Sequence, residues 1–225
     1  MSNPTRIGII GGSYNPPHIA HLVIADRFAE QMQLERTYFV PAYRSPFKLG
    51  DDSAEATSTE QRVAMLRLAI ERNPTFEVET VEIERGDISY TINTIHYFRE
   101  RFPEAALFLL VGGDQAAAFT KWKDWQEILS LVQLCIARRP YTIAPEVERA
   151  ITFHLAIEDE TGSQHLDAYR TDARSMKLPV WIDAPILAVS STEVRERIAS
   201  GLSVRFLVPR VVEQYIHAHG LYKQL

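Results

Sequence analysis

Apolar positions along this chain alternate between two rhythms. Short, nearly unbroken runs occur at Ile7 to Gly11, Thr37 to Val40, Phe76 to Val78, Ala106 to Val111, Val132 to Ala137 and Val180 to Ile182. Their length and their content of branched and aromatic side chains read as strands. Helically spaced stretches lie between them: Ala20 to Met32 after the first run, Ser58 to Glu71 after the second, and Asn93 to Phe102 after the third. Ser58 and Gln61 have the spacing of a capping box, and Pro103 stands where the third helix must stop. Leu107 to Val111 is apolar at every position, as a strand buried on both faces requires. The pattern therefore predicts an α/β fold, a parallel sheet with helices on both faces. In such sheets ligands bind beyond the carboxyl ends of the strands, near the point where strand order reverses.

With 225 residues, 46% of them hydrophobic, the chain can form one substantial core. The expectation is a single domain over 1–225 with an irregular insertion around 140–179, where acidic, polar and helical patches mix. The formal charge of −5 and the lack of a long basic run argue against a nucleic-acid partner. Cys135 is the single cysteine, so neither an internal disulfide nor a cysteine metal site can form, which suits a reducing cytoplasm. Residues 1–6 hold no apolar signal core, and no apolar run approaches bilayer length. A cytoplasmic protein with no membrane partner is expected.

The first apolar run ends in Gly11-Gly12-Ser13-Tyr14-Asn15-Pro16-Pro17-His18-Ile19-Ala20-His21, and a helical pattern follows at once. Adjacent glycines let a ligand approach the backbone, and a helix beginning near His18 aims N–H groups and a positive dipole end at it. A phosphate is the implied ligand. His18 and His21, three residues apart, project from one edge of the first turn and can reach one phosphate group. The same pair can cap a helix or ligate a metal, although no third ligand stands nearby and no HExxH pattern occurs. Neither a Walker A ending nor a G-x-G-x-x-G fingerprint follows the strand, which excludes P-loop and ordinary nicotinamide dehydrogenase chemistry.

A second helix start, Val189-Ser190-Ser191-Thr192-Glu193-Val194-Arg195, leads into a helix running to Ala199 and stopped by Gly201. Ser190 and Glu193 alone would make a capping box; Ser190, Ser191, Thr192 and Arg195 together also make an anion nest. Lys48, in the loop after the second strand, is either a solvated lysine or, with Arg44, a cationic lid for phosphates. Val111-Gly112-Gly113-Asp114 places an acid at a strand's carboxyl edge, to read a ribose or base or to cap the Gln115 to Phe119 helix. Trp122 and Trp125 can pack or stack on a heterocycle, and Ser89-Tyr90-Thr91 can cap a helix or grip a small polar group.

Taken together, the Gly-Gly-Ser-Tyr-Asn-Pro-Pro-His-Ile-Ala-His loop and the Ser-Ser-Thr-Glu-Val-Arg segment resemble the paired signatures of the nucleotidyltransferase superfamily that contains bacterial nicotinate-nucleotide adenylyltransferases. The resemblance extends through Lys48, Gln61-Arg62, Ser89-Tyr90-Thr91, Val111-Gly112-Gly113-Asp114, Lys121-Trp122, Arg138-Arg139-Pro140 and Gly220-Leu221-Tyr222. It implies a Rossmann-like, doubly wound sheet and transfer of AMP from ATP to nicotinate mononucleotide, giving deamido-NAD and pyrophosphate. By the same resemblance, His18, His21, Lys48 and Arg195 are the catalytic groups. Gly11, Gly12, Ser13, Gly112, Asp114, Ser190, Ser191 and Thr192 join them in holding ATP, with Asp114 beside the adenosine ribose. Lys48, Tyr90, Thr91 and Trp122 are implied to hold nicotinate mononucleotide. Mg²⁺ would accompany ATP on phosphate oxygens and water rather than in a protein cage. Asn15, Ala20 and Phe47 depart from the family pattern, standing where Asp, Gly and His are usual.

Two rival readings follow. One is the same chemistry on nicotinamide mononucleotide or phosphopantetheine, though enzymes of the latter kind are typically much shorter. The other is a nucleotide-binding module without turnover, which a His18→Ala variant separates from an enzyme.

Overall fold

The computed structural model describes residues 4–48, 57–137, 179–185 and 187–223. Its elements in chain order are β1 (Arg6–Gly12), α1 (Ile19–Gln31), β2 (Arg36–Pro41), α2 (Thr59–Ile70), β3 (Phe76–Val78), α3 (Val81–Arg85), α4 (Thr91–Arg101) and β4 (Ala106–Gly112). They continue with α5 (Gly113–Ala116), α6 (Trp125–Leu131), β5 (Gln133–Ala137), β6 (Val180–Ile182), α7 (Ser191–Ala199) and α8 (Arg210–Ala218). Single 3-10 turns stand at Pro46–Lys48 and Phe119–Lys121.

The six strands form one sheet in the order β3-β2-β1-β4-β5-β6, and every neighbouring pair runs parallel. The chain winds outward in one direction from β1 to β3, then returns to β4 and winds outward the other way. This doubly wound order places the reversal between β1 and β4, which opens a crevice at their carboxyl ends.

Strand alternation sorts the side chains onto two buried faces. Ile7, Ile9, Tyr38, Val40, Leu107, Leu109, Leu134 and Ile136 face α4 and α6, where Ile95, Phe98 and Ile128 meet them. On the opposite face Phe108, Leu110, Cys135 and Ile182 pack with Phe28 of α1, while Phe39 and Phe76 pack with Ala25, Leu66 and Ile70. Burial pushes the Cys135 thiol up to about 12, which keeps it an inert packing group. A further cluster, Met65, Val194, Ile198, Val212, Ile216 and Tyr222, binds α7 and α8 to α2.

The predicted strands stand within a residue of their expected ends, and Ser58 and Gln61 do form the reciprocal capping box. The expected Gln115 to Phe119 helix is instead the short α5 followed by a 3-10 turn, and Gly112, not Asp114, occupies its cap position. The five residues of α3 and seven of α6 are too short to display a helical period, so no rhythm in the chain announces them. Helix α8 carries a usable signal, Pro209 followed by Val212 and Ile216 four apart. The irregular stretch expected around 140–179 lies outside the described residues, Pro179 excepted. Among the described residues no helix is long and apolar enough to cross a membrane.

At Gly8 the ring of Phe28 from α1 and the side chain of Leu34 pack directly on the strand backbone. A Cβ there would lie 2.5 Å from Leu34 Cδ1 and 2.7 Å from Cε1 of the fully buried Phe28 ring. Gly8→Ala is therefore expected to lower stability by about 1–3 kcal/mol, read as a lower melting temperature, with unchanged far-UV dichroism. An unchanged melting temperature would contradict this packing.

Candidate active site

A cleft of about 490 Å³ opens at the carboxyl ends of β1 and β4, within the size range of small-molecule sites. Its floor is the loop after β1. Among the described residues, and apart from its chain neighbours, a Cβ built on Gly11 would meet no atom within 4 Å, which leaves room above its backbone. Gly12 is packed on the Tyr14 ring, where a Cβ would approach to 3.0 Å. Tyr14 is buried, with a left-handed φ of 49°, and its hydroxyl donates to the Ile10 carbonyl at 2.7 Å. The loop is thus folded back on its own strand before it reaches α1.

His18 occupies the cap position of α1, and its ring stacks on His21 at a centroid distance of 3.7 Å. The His18 backbone N–H donates to His21 Nδ1 at 3.2 Å, so the neutral His21 ring carries its proton on Nε2. Both imidazoles do stand together at the helix start, as their spacing predicts.

The second predicted helix start meets the first directly. Ser190 Oγ accepts from the Glu193 backbone N–H at 3.1 Å and caps α7. Ser191 Oγ donates to the Pro16 carbonyl at 2.9 Å, and Arg195 Nη1 donates to the Asn15 carbonyl at 2.8 Å. Arg195 Nη2 donates to Thr192 Oγ1 at 3.3 Å. Ser190, Ser191, Thr192 and Arg195 all line the cleft facing Ser13 and His18. Capping by Ser190 is therefore present at this helix end, with Ser191 and Arg195 bonded to the loop before α1.

Asp114 sits in the first turn of α5 beside Gly112, on the cleft's edge at the end of β4. Tyr90 and Thr91 open α4 on the same side as Trp122, whose ring lies 6.2 Å from that of Phe47 and 5.0 Å from that of Phe119. Trp122 Nε1 is buried with no hydrogen-bond partner among the described residues. Trp125, by contrast, packs into the core and does not line the cleft. Lys48 closes the Pro46–Lys48 turn, and Pro46 and Phe47 before it line the cleft. The Arg138-Arg139-Pro140 segment lies outside the described residues.

Three supporting groups stand outside the site residues expected from the sequence, although Arg62 and Tyr222 belong to segments that carry the family resemblance. Arg62 of α2 is buried and donates to two loop carbonyls, Ser13 at 2.7 Å and Ala42 at 2.8 Å. Glu82 of α3 is buried in the cleft wall and accepts from Thr94 Oγ1 at 2.6 Å. Burial pushes its carboxyl above the usual range, opposed by hydrogen bonds from Thr94 and Ser89 and by the Arg85 charge. Tyr222, near the chain's end, donates from Oη to Asn15 Oδ1 at 2.6 Å. A charged residue on an otherwise apolar helix face, as Arg62 is beside Val63 and Leu66, is a local hint of a buried partner, and Glu82 has no such signal.

Ser89 does not cap α4. Its hydroxyl accepts from the Tyr43 N–H at 2.9 Å, and its own N–H donates to the Arg44 carbonyl at 2.8 Å. The loop after β2 is thereby docked on the segment that opens α4. Among the described residues no three His, Cys, Asp or Glu side chains are grouped to hold a metal. Imidazoles, hydroxyls, a guanidinium and helix N–H groups are a donor set for an oxyanion.

Residues 9–197 match the model of the cytidylyltransferase-like family. A probable nicotinate-nucleotide adenylyltransferase of Lactiplantibacillus plantarum is 33% identical over 97% of this chain and 89% of its own length. A protein of the same name from Geotalea daltonii is 36% identical over 96% of this chain and 98% of its own. Among solved structures, Plasmodium falciparum nicotinic acid mononucleotide adenylyltransferase complexed with NaAD superposes with a TM-score of 0.72. It is 16% identical, with 97% of each chain covered, and so is alike in fold.

The raised Glu82 pKa has a definite sign. The fold favours the neutral carboxyl, so its stabilisation is present below the ordinary glutamate value near ~4.3 and is lost as pH rises through the raised value. Glu82→Gln stays neutral and can still accept from Thr94. Its melting temperature is expected to gain on the wild type as pH is raised from acid to neutral; a difference that is flat with pH would rule this out.

Proposed function

We infer the function from one premise: the chain belongs to the cytidylyltransferase-like family and, within it, to the nicotinate-nucleotide adenylyltransferases. The protein is a nucleotidyltransferase, and its reaction is transfer of AMP from ATP to nicotinate mononucleotide, giving deamido-NAD and pyrophosphate. The observation that carries this reading is the meeting of two anion-binding helix starts on one cleft, with Ser191 and Arg195 of α7 bonded to the loop that leads into α1.

A phosphate oxygen of the acceptor attacks the α-phosphorus of ATP in line. The new P–O bond forms as the bond from the α-phosphorus to the bridging oxygen breaks, and that oxygen leaves on pyrophosphate with the electron pair. No protein nucleophile is required, so catalysis consists of positioning and of stabilising charge. His18, His21, Lys48 and Arg195 serve that charge, and the Gly11-Gly12-Ser13 backbone takes the phosphates at close range. Ser190, Ser191 and Thr192 hold the triphosphate from the α7 side, while Gly112 and Asp114 receive the adenosine ribose. Tyr90, Thr91 and Trp122 hold the pyridine ring, and Lys48 meets the acceptor phosphate. Mg²⁺ arrives as part of the ATP substrate, since the described cleft residues suit phosphate oxygens rather than a cation.

Strands β5 and β6 pair with each other in one sheet, and this supports reading the intervening 140–179 as an insertion within a single domain. A cytoplasmic setting, where ATP is abundant, belongs to the same reading.

Pyrophosphate release from ATP and Mg²⁺ is expected to be strongest with nicotinate mononucleotide, compared with nicotinamide mononucleotide and phosphopantetheine. His18→Ala is expected to lower kcat by about 10²–10³-fold, with little change in melting temperature. Equal or faster release with another acceptor would replace the substrate, and no release with any of them would leave a binding module.

A further inference from the structure

We propose that Phe47 is a specificity-determining residue for the acceptor: with Trp122 it forms two aromatic faces that take the positively charged pyridine ring between them. The proposal rests on the nucleotidyltransferase reading and adds to it a residue that its site assignment leaves out.

Phe47 shows apolar surface where most of the chain's large apolar side chains are covered. Among the described residues the exposed ones are Phe47, Leu202, Phe206 and Val211, and of these Phe47 alone lines the cleft. It is 53% exposed, and its one ring neighbour among the described residues is Trp122, at 6.2 Å with 42° between the planes. Trp122 is backed by the fully buried Phe119 ring at 5.0 Å and packs against the core. One face is therefore fixed by the core, and the other is carried on the Pro46–Lys48 turn after β2.

The spacing suits an inserted ring. Two rings that hold a third between them stand about 7 Å apart, twice the ~3.5 Å of a carbon contact. A small outward turn of Phe47 brings the observed 6.2 Å and 42° to that arrangement. Closing the pair on a ligand then covers the exposed Phe47 ring, and burial of that apolar surface favours closure.

The charge of the ligand makes aromatic faces the matching wall. In a pyridine mononucleotide the ring nitrogen bears the ribose, so the ring keeps its positive charge at any pH. Such a cation is attracted to the negative face of an aromatic ring, most strongly where water is excluded. Tyr90, on the same side of the cleft, already has the Lys123 ammonium over its ring, 4.9 Å from the centroid. Among the described residues no cation lies over Trp122 or Phe47. A histidine, usual at this place in the family, also presents a flat ring, so Phe47 keeps the planar face and gives up its polar edge.

The test is the steady-state KM for nicotinate mononucleotide and for ATP in wild type, Phe47→Ala, Phe47→Leu and Phe47→His, with acceptor binding also read by quenching of tryptophan fluorescence. Phe47→Ala is expected to raise the acceptor KM about tenfold and to leave the ATP KM within about twofold. Phe47→His restores a flat ring and is expected to recover most of that loss, whereas Phe47→Leu restores only apolar bulk and recovers little. Nicotinamide mononucleotide and its dihydropyridine form, used as competitors, differ in the charge and aromaticity of the ring. Phe47→Ala is expected to weaken the first several-fold more than the second. A wild-type acceptor KM in Phe47→Ala overturns the proposal while turnover on nicotinate mononucleotide leaves the substrate reading intact. Full recovery by Phe47→Leu, equal loss of both competitors or a matching rise in the ATP KM overturns it as well, each reducing Phe47 to packing of its loop. A wild type that adenylylates nicotinamide mononucleotide instead, with the same order of variants, fails the substrate reading while the Phe47 assignment stands, because that ring carries the same charge.

Discussion

Buried backbone that is neither helix nor strand must find partners for its carbonyl groups elsewhere, and the loop between β1 and α1 is built around that requirement. Tyr14 folds back to satisfy Ile10, Arg62 comes from α2 to Ser13, and Arg195 and Ser191 come from α7 to Asn15 and Pro16. The Ile19 N–H at the start of α1 is in turn paired with the Leu207 carbonyl, ahead of α8. These bonds reach the loop from its own strand, from α2, from α7 and from the segment before α8. The loop proposed to take the phosphates is thus the point at which α2, α7 and the C-terminal segment are tied to the sheet.

Under the proposed reaction, side chains that hold the loop also serve the substrate. Arg195 uses Nη1 on the loop and Nη2 on Thr192, so its planar guanidinium is oriented before any ligand arrives. Positioning of this kind is what a reaction without a protein nucleophile needs, because the groups that stabilise charge need not reorganise as it develops. Arg62 shows the other extreme. It is buried with both terminal nitrogens on carbonyls, and burial lowers its pKa. It serves the site only by fixing the Ser13 loop to Ala42.

The side of the cleft proposed for the acceptor follows a related logic. Ser89 joins the loop after β2 to the start of α4, and Glu82 with Thr94 forms a buried polar core beneath it. Phe47, which departs from the family pattern, turns its ring toward Trp122, so the exchange puts an aromatic contact where a polar side chain is usual. Asn15, the other departure beside the cleft, accepts from Tyr222 at the opposite end of the chain.

The sequence by itself determined the strands and the two helix starts, because each depends on residues a few positions apart. Periodicity and capping are local physics, and an adjacent pair of glycines before a helix is visible without a fold. Only the tertiary structure decided the strand order, the meeting of α1 and α7, and the roles of Arg62, Glu82 and Tyr222. Those rest on contacts between distant segments, such as the 207 positions between Asn15 and Tyr222, where packing chooses the partner and spacing carries no record of it.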